Sequence, residues 1–128
     1  MIEKKRILVV DDDPDVHNYC KMVLEDAGYA VEIASSGTEG RVSVTDAAPD
    51  LVILDVMMEQ ADTGFETARW FAENHPGMPV IMLSSIADAA ESLFDTSTLS
   101  VAELINKPIS PDNLQATVKR LLERAARS

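Results

Sequence analysis

The feature that most constrains this chain is a recurrence. Five short runs rich in Val, Ile or Leu, at 7–10, 31–34, 51–54, 80–83 and 102–105, are separated by segments of helical character. Runs of this length are expected to be strands, and their apolar content suits strands buried on both faces. The segments between them carry helix-start signals: Asp13-Pro14, Ser36 with Glu39 three residues on, Thr63 with Glu66 three residues on, and Ser110-Pro111. Strand followed by helix, five times over, demands a parallel sheet with right-handed crossovers and helices on both faces, a doubly wound α/β domain.

The predicted helices have faces to bury. In the first, Val16, Tyr19, Cys20, Val23, Leu24 and Ala27 fall on one stripe; in the last, Leu114, Val118, Leu121, Leu122 and Ala125 do the same. The fourth predicted helix, at 87–94, runs into Asp95-Thr96-Ser97-Thr98, which favours fraying, so a short and mobile element is expected there. With 128 residues the chain is expected to form one domain, 1–128, around one core.

Composition narrows the function classes. Hydrophobic residues at 46% and charged residues at 26% describe a folded chain, with no apolar run long enough for a membrane span. Eleven Lys and Arg against 22 Asp and Glu give a formal charge of −11, which repels a phosphate backbone and argues against direct nucleic-acid binding. The single Cys20 has no intramolecular disulfide partner, and only four apolar residues separate Arg6 from Asp11, too few for a signal peptide. The cytoplasm is the default compartment.

In doubly wound sheets ligands bind outside the carboxyl ends of the strands. There this sequence places Asp11, Asp12 and Asp13 after the first strand, Asp55 after the third, Ser84 and Ser85 after the fourth, and Lys107-Pro108 after the fifth. Unpaired carboxylates crowded into one cavity raise one another's pKa or require a cation, and hard oxygen donors without nearby His or Cys suggest Mg²⁺. Lys107 is the only Lys or Arg between Arg69 and Lys119, and it ends an apolar strand, where a buried lysine wants a carboxylate or phosphate. A carboxylate, a divalent cation, a hydroxyl and a lysine around one cavity make a phosphoryl-transfer set with Asp as nucleophile and an aspartyl phosphate as product.

These residues match a known family. Through Ile7-Leu8-Val9-Val10-Asp11-Asp12-Asp13, Leu51-Val52-Ile53-Leu54-Asp55-Val56-Met57-Met58, Pro79-Val80-Ile81-Met82-Leu83-Ser84 and Lys107-Pro108, in that order, the chain resembles the receiver domain of two-component response regulators over essentially its whole length. The resemblance implies a flavodoxin-like (βα)5 fold with strand order 2-1-3-4-5 and makes Asp55 the phosphoacceptor. It places Asp11, Asp12, Asp55 and the Met57 main-chain carbonyl around Mg²⁺, with Mn²⁺ as a substitute, and gives Ser84 and Lys107 the phosphoryl oxygens. It further implies a cis Lys107–Pro108 bond and a sensor histidine kinase or histidine phosphotransfer protein as phosphodonor. The output would be a shift of the face built from the fourth helix, fifth strand and fifth helix. Such a domain acts as a switch that promotes its own phosphorylation and dephosphorylation, not as an enzyme on an external substrate.

Some positions depart from the family's usual pattern. The loop Met58-Glu59-Gln60-Ala61-Asp62-Thr63-Gly64 lacks the usual proline and carries one extra residue before glycine. Leu104 stands where an aromatic switch residue is common, three residues before the lysine. Met57 and Ile86, at the two positions that tune phosphate lifetime in the family, are both apolar, which suggests a shielded acyl phosphate that hydrolyses slowly. With the chain ending at Ser128, the reading is a single-domain regulator or a receiver excised from a longer protein, its output target unnamed. Acidic Asp88 and Glu91 together with basic Lys119, Arg120 and Arg124 permit phosphorylation-linked pairing of two copies.

Simpler roles compete at several positions. Asp13 is explained by capping Pro14's helix, Ser84 by capping the helix that follows it, and Lys107 by a structural ion pair with Asp55. His17 and His75 read as surface residues, Trp70 and Phe71 as core packing, Cys20 as part of an apolar stripe, and Met57, Met58 and Met82 as core or site lining. Two alternative functions can be named: a pseudo-receiver that binds partners without phosphorylation, and an aspartate-nucleophile hydrolase of the haloacid dehalogenase type. The second wants an Asp two residues after the nucleophile, where Met57 stands, and flavin binding is opposed by the charge of Asp11-Asp12-Asp13.

Overall fold

The computed structural model describes residues 4–55, 63–84 and 103–127. In chain order these form β1 (Arg6–Val10), α1 (Pro14–Asp26), β2 (Ala30–Ala34), α2 (Gly37–Asp46), β3 (Leu51–Asp55), α3 (Thr63–Asn74), β4 (Val80–Ser84), β5 (Glu103–Asn106) and α4 (Pro111–Arg127). The helix expected at 87–94 and the loop at 58–62 lie outside the described residues. The strands pair in parallel as one five-stranded sheet in the order β2-β1-β3-β4-β5. This is the doubly wound, flavodoxin-like order.

Alternation along the strands sorts the core into two halves. Ile7, Val9, Leu51, Ile53, Ile81, Leu83 and Ile105 pack with Cys20, Val23 and Leu24 of α1 and with Leu114, Val118, Leu121 and Leu122 of α4. Leu8, Val10, Val52, Leu54, Val80 and Met82 face the other way, onto Val44 of α2 and Ala68 and Phe71 of α3, with Trp70 and Leu104 at the margin. β1, β3 and β4 thus meet the expectation of strands buried on both faces, apart from Arg6 at the start of β1. The outer strands do not: β2 is mostly half-buried with Ile33 exposed, and in β5 only Ile105 is buried. The physical reason is position, since an edge strand is covered on fewer sides. Their charged residues are paired, Glu32 of β2 with Arg6 at 2.6 Å and Glu103 of β5 with Arg120 at 2.8 Å.

Local chemistry fixes the helix starts. Asp13 caps α1 by accepting the Asp15 N–H at 2.9 Å, with Pro14 in the first turn, where its missing N–H costs nothing. Ser36 caps α2 by accepting the Glu39 N–H at 3.1 Å, and the Glu39 carboxylate accepts in return from Ser35, one residue earlier than in the usual reciprocal pairing. Ser110 accepts the Asn113 N–H at the start of α4. On the predicted stripes the exception is Ala27, which is exposed because it is the C-cap of α1, not part of its buried face. Gly28 follows with φ 99°, the left-handed conformation that ends a helix without a Cβ penalty.

α2 lies close against β1 because Gly40 is buried there. A Cβ at this position would sit 2.9 Å from Val10 Cγ2, and Val10 is itself wholly buried. Gly40→Ala is expected to destabilise the fold by about 1–2 kcal/mol, the crowding outweighing the gain in helix propensity. Gly77→Ala, where a Cβ meets nothing within 4 Å, should stay within about 0.5 kcal/mol of wild type. Urea denaturation of the two variants checks both.

Candidate functional site

All five strands point their carboxyl ends to the same edge, and the site forms there. Asp55 is the last residue of β3, Asp11 follows β1, Ser84 ends β4, and Lys107 follows β5. Asp11, Asp55 and Lys107 each continue the alternation of the strand face covered by α1 and α4, which carries Ile7 and Val9, Leu51 and Ile53, and Ile105. The pattern that builds the core therefore also turns these three side chains to one side of the sheet.

Two of the predicted carboxylates are buried together. Asp11 is 0% exposed and Asp55 3%, on neighbouring strands whose register pairs Val10 with Leu54. Lys107 Nζ donates to Asp55 Oδ2 at 2.9 Å, with its side chain 32% exposed. The lysine is thus half-buried, less enclosed than the sequence suggested, because it leaves the open edge strand β5. Its bond to Pro108 is cis, as the resemblance implied. Ser84 is fully buried, and its carbonyl accepts the Lys107 N–H at 2.7 Å. Asp12 is exposed at the rim, and Asp13 is occupied as the α1 cap. The Met57 carbonyl lies outside the described residues.

Asp11 carries the strongest electrostatic signature. Its Oδ1 accepts the Asp13 N–H at 2.9 Å, while its buried Oδ2 has no hydrogen-bond partner among the described residues. Burial, reinforced by the neighbouring Asp55 carboxyl, raises the Asp11 pKa from 3.8 to about 7, against the opposing pull of the Asp13 N–H and Lys107. A buried oxygen in want of a partner, beside a second carboxylate, is the environment a hard divalent cation satisfies, and Mg²⁺ or Mn²⁺ fits this donor set. Among the described residues no three acidic, His or Cys side chains already converge as a finished cage. Asp11 and Asp55 would hold such an ion, with further donors from the rim and solvent.

One residue near the site was misread from sequence. His17, expected at the surface, is half-buried, and its Nε2 donates to the main-chain carbonyl of Asp11. Periodicity could not show this contact, because a polar bond to the backbone leaves no apolar signature. Asp13-Pro14 held the clue: it places His17 in the fourth helical position, from which side chains lean back over the N-terminus. Tyr19, read only as part of an apolar stripe, also donates its hydroxyl to the Ile109 carbonyl, two residues beyond Lys107. Cys20 is buried, and burial pushes its thiol up to about 12, so it is not a reactive thiolate. Phe71 is core and Trp70 lies at the core margin, as expected. No helix among the described residues is long and apolar enough to cross a membrane.

Sheet order and the set of strand-end side chains define a doubly wound fold with a polar site at its carboxyl edge, and comparison with known proteins names its family. The family model of the response regulator receiver domain matches residues 7–119. The chain belongs to this family, the receiver domains of two-component response regulators. It is similar to the transcriptional regulatory protein GltR of Pseudomonas aeruginosa, 35% identical over 123 residues, covering 94% of this chain and 50% of that protein. The alkaline phosphatase synthesis transcriptional regulatory protein PhoP of Bacillus subtilis is 32% identical over 121 residues, with 94% and 50% covered. The chain thus spans about half the length of these curated relatives. Among solved structures, a CheY-like response regulator receiver domain protein from Methanospirillum hungatei superposes with a TM-score of 0.84 at 30% identity, covering 98% of each chain. The receiver domain of NtrX from Brucella abortus gives a TM-score of 0.84 at 29% identity, with 91% and 98% covered.

The raised Asp11 pKa has a consequence for stability. A carboxyl group that holds its proton more tightly when folded favours the native state at low pH, and that contribution is lost as pH rises from about 4 to about 7. Metal-free wild type should therefore lose stability relative to Asp11→Asn across this window, by on the order of 1–3 kcal/mol, with a constant difference above it. Denaturation in chelator at pH 4.5 and 7.5 measures the effect, and Mg²⁺ should narrow the gap at the higher pH by stabilising wild type.

Proposed function

We propose that this receiver accepts a phosphoryl group on Asp55 from the phosphohistidine of a sensor histidine kinase or histidine phosphotransfer protein. The observation that carries the reading is the buried Asp55 carboxylate, held at 2.9 Å by Lys107 beside the under-satisfied Asp11. An Asp55 oxygen attacks phosphorus, an O–P bond forms, the N–P bond to the donor imidazole breaks, and the departing nitrogen takes up a proton. Lys107 neutralises Asp55 at rest and moves its charge onto the phosphoryl oxygens as they develop negative charge. Ser84, at the end of the adjacent strand, offers a hydroxyl to the same oxygens. Asp11, Asp12, Asp55 and the Met57 carbonyl would hold Mg²⁺, which would supply Lewis-acid neutralisation of the phosphoryl group.

Phosphorylation exchanges the −1 carboxylate of Asp55 for an acyl phosphate of about −1.5 to −2, drawing Ser84 and Lys107 toward the phosphate. β5 and α4 flank Lys107, and they carry the described part of the face whose conformation reports the change. Leu104, at the position where the family resemblance implies an aromatic switch residue, packs at the core margin and has no ring to rotate. The domain is thus a switch read by a protein partner, in one piece from residue 1 to 128.

Intact mass after incubation with acetyl phosphate and Mg²⁺ should show one phosphoryl adduct in wild type and none in Asp55→Ala or in chelator. Absence of an adduct in wild type would favour a phosphorylation-independent interaction module. The adduct should decay slowly, because Met57 and Ile86 offer no polar group to orient an attacking water. Polar substitution at either position is expected to shorten its half-life several-fold, followed by the loss of adduct mass with time.

A further inference from the structure

The two arms of the site are tied to one helix. The carbonyl of Asp11 lies just beyond Val10, the last β1 residue in register with β2 and β3. A backbone acceptor leaving a sheet in a half-buried setting needs a donor, and His17 Nε2 provides it from α1. A carbonyl oxygen only accepts, so the proton is on Nε2. On the same helix the Tyr19 hydroxyl donates to the carbonyl of Ile109, in the loop that carries Lys107. α1 is itself held in place: Gln115 of α4 donates to its Val23 carbonyl at 2.8 Å, and Cys20, Val23 and Leu24 are buried beneath it.

We propose that His17 and Tyr19 are positioning residues acting on separate arms of the site, His17 on the metal-binding arm through Asp11 and Tyr19 on the lysine arm through Ile109. Neither touches the reacting atoms. His17 sets the direction in which Asp11 and Asp12 leave β1, and so the geometry offered to the ion. Tyr19 sets the path of the chain from Lys107 into α4, and so the reach of the ammonium group to Asp55 and its phosphate. Outer hydrogen bonds of this kind orient the groups that bind a metal and tune their affinity. The inference rests on the phosphoacceptor reading above and adds to it a division of labour within α1.

The test is Mg²⁺ titration of the unphosphorylated protein by calorimetry, paired with phosphorylation rates from acetyl phosphate at saturating Mg²⁺. His17→Leu, which removes the donor, is expected to weaken Mg²⁺ binding about three- to tenfold, and His17→Gln, which restores an N–H, to recover most of it. Tyr19→Phe is expected to leave Mg²⁺ affinity within about twofold while lowering the saturated rate about three- to tenfold. A general loosening of α1 would move both readouts together in both variants and would overturn the proposal, as would unchanged Mg²⁺ affinity in His17→Leu or failure of His17→Gln to recover it. Wild type that binds Mg²⁺ but is not phosphorylated would remove the phosphoacceptor reading and the Tyr19 arm, leaving the His17 arm decided by the titrations. Wild type that binds no Mg²⁺ would overturn both arms.

Discussion

A parallel sheet with helices on both faces imposes the constraint on which the rest of this molecule depends. Each strand must return through a crossover to start again at the same end, so every carboxyl-terminal strand end arrives at one edge. Covering both faces requires apolar residues at successive positions, and Leu51 to Leu54 and Val80 to Leu83 supply them without interruption. Polar chemistry is excluded from these central strands until their last residue. Asp55 and Ser84 stand at that boundary, which is why they are buried by the fold and still adjacent to the edge.

The electrostatics follow from this placement. In a chain of formal charge −11, Asp11 and Asp55 are set side by side in a desolvated position with Lys107 as the nearby cation. Burial disfavours ionised Asp11, and Asp55 adds to that, so the resting site is held together against its own repulsion. Such a site gains by taking up positive charge and has its lysine ready to be redirected. On the proposed reading, the same imbalance that costs stability is what a bound cation would relieve.

Much of this was legible in the residues. The strand-helix alternation gave the layers, the Asp13, Ser36 and Ser110 signals gave helix starts, and the strand ends identified Asp11, Asp55, Ser84 and Lys107 as neighbours. Strand order came from family resemblance, since alternation alone does not say which strand lies beside which. Edge exposure was missed because 31–34 and 102–105 look as aliphatic as the central runs, and a strand's coverage depends on neighbours it does not encode locally. His17 and Tyr19 escaped for a different reason: each makes its bond to a backbone carbonyl, and a backbone acceptor carries no residue identity for a pattern to detect.

The paired charges on the outer strands also limit what the sheet can become. β2 and β5 each present one edge without a strand partner among the described residues, and such edges are templates for adding strands from other chains. Glu32 and Glu103 lie on these edges, each bound to an arginine from elsewhere in the fold. A second chain docking there would have to desolvate an ion pair or bring its own acidic strand against another. Charged side chains on both outer strands thus oppose the addition of a further strand at either edge of the described sheet.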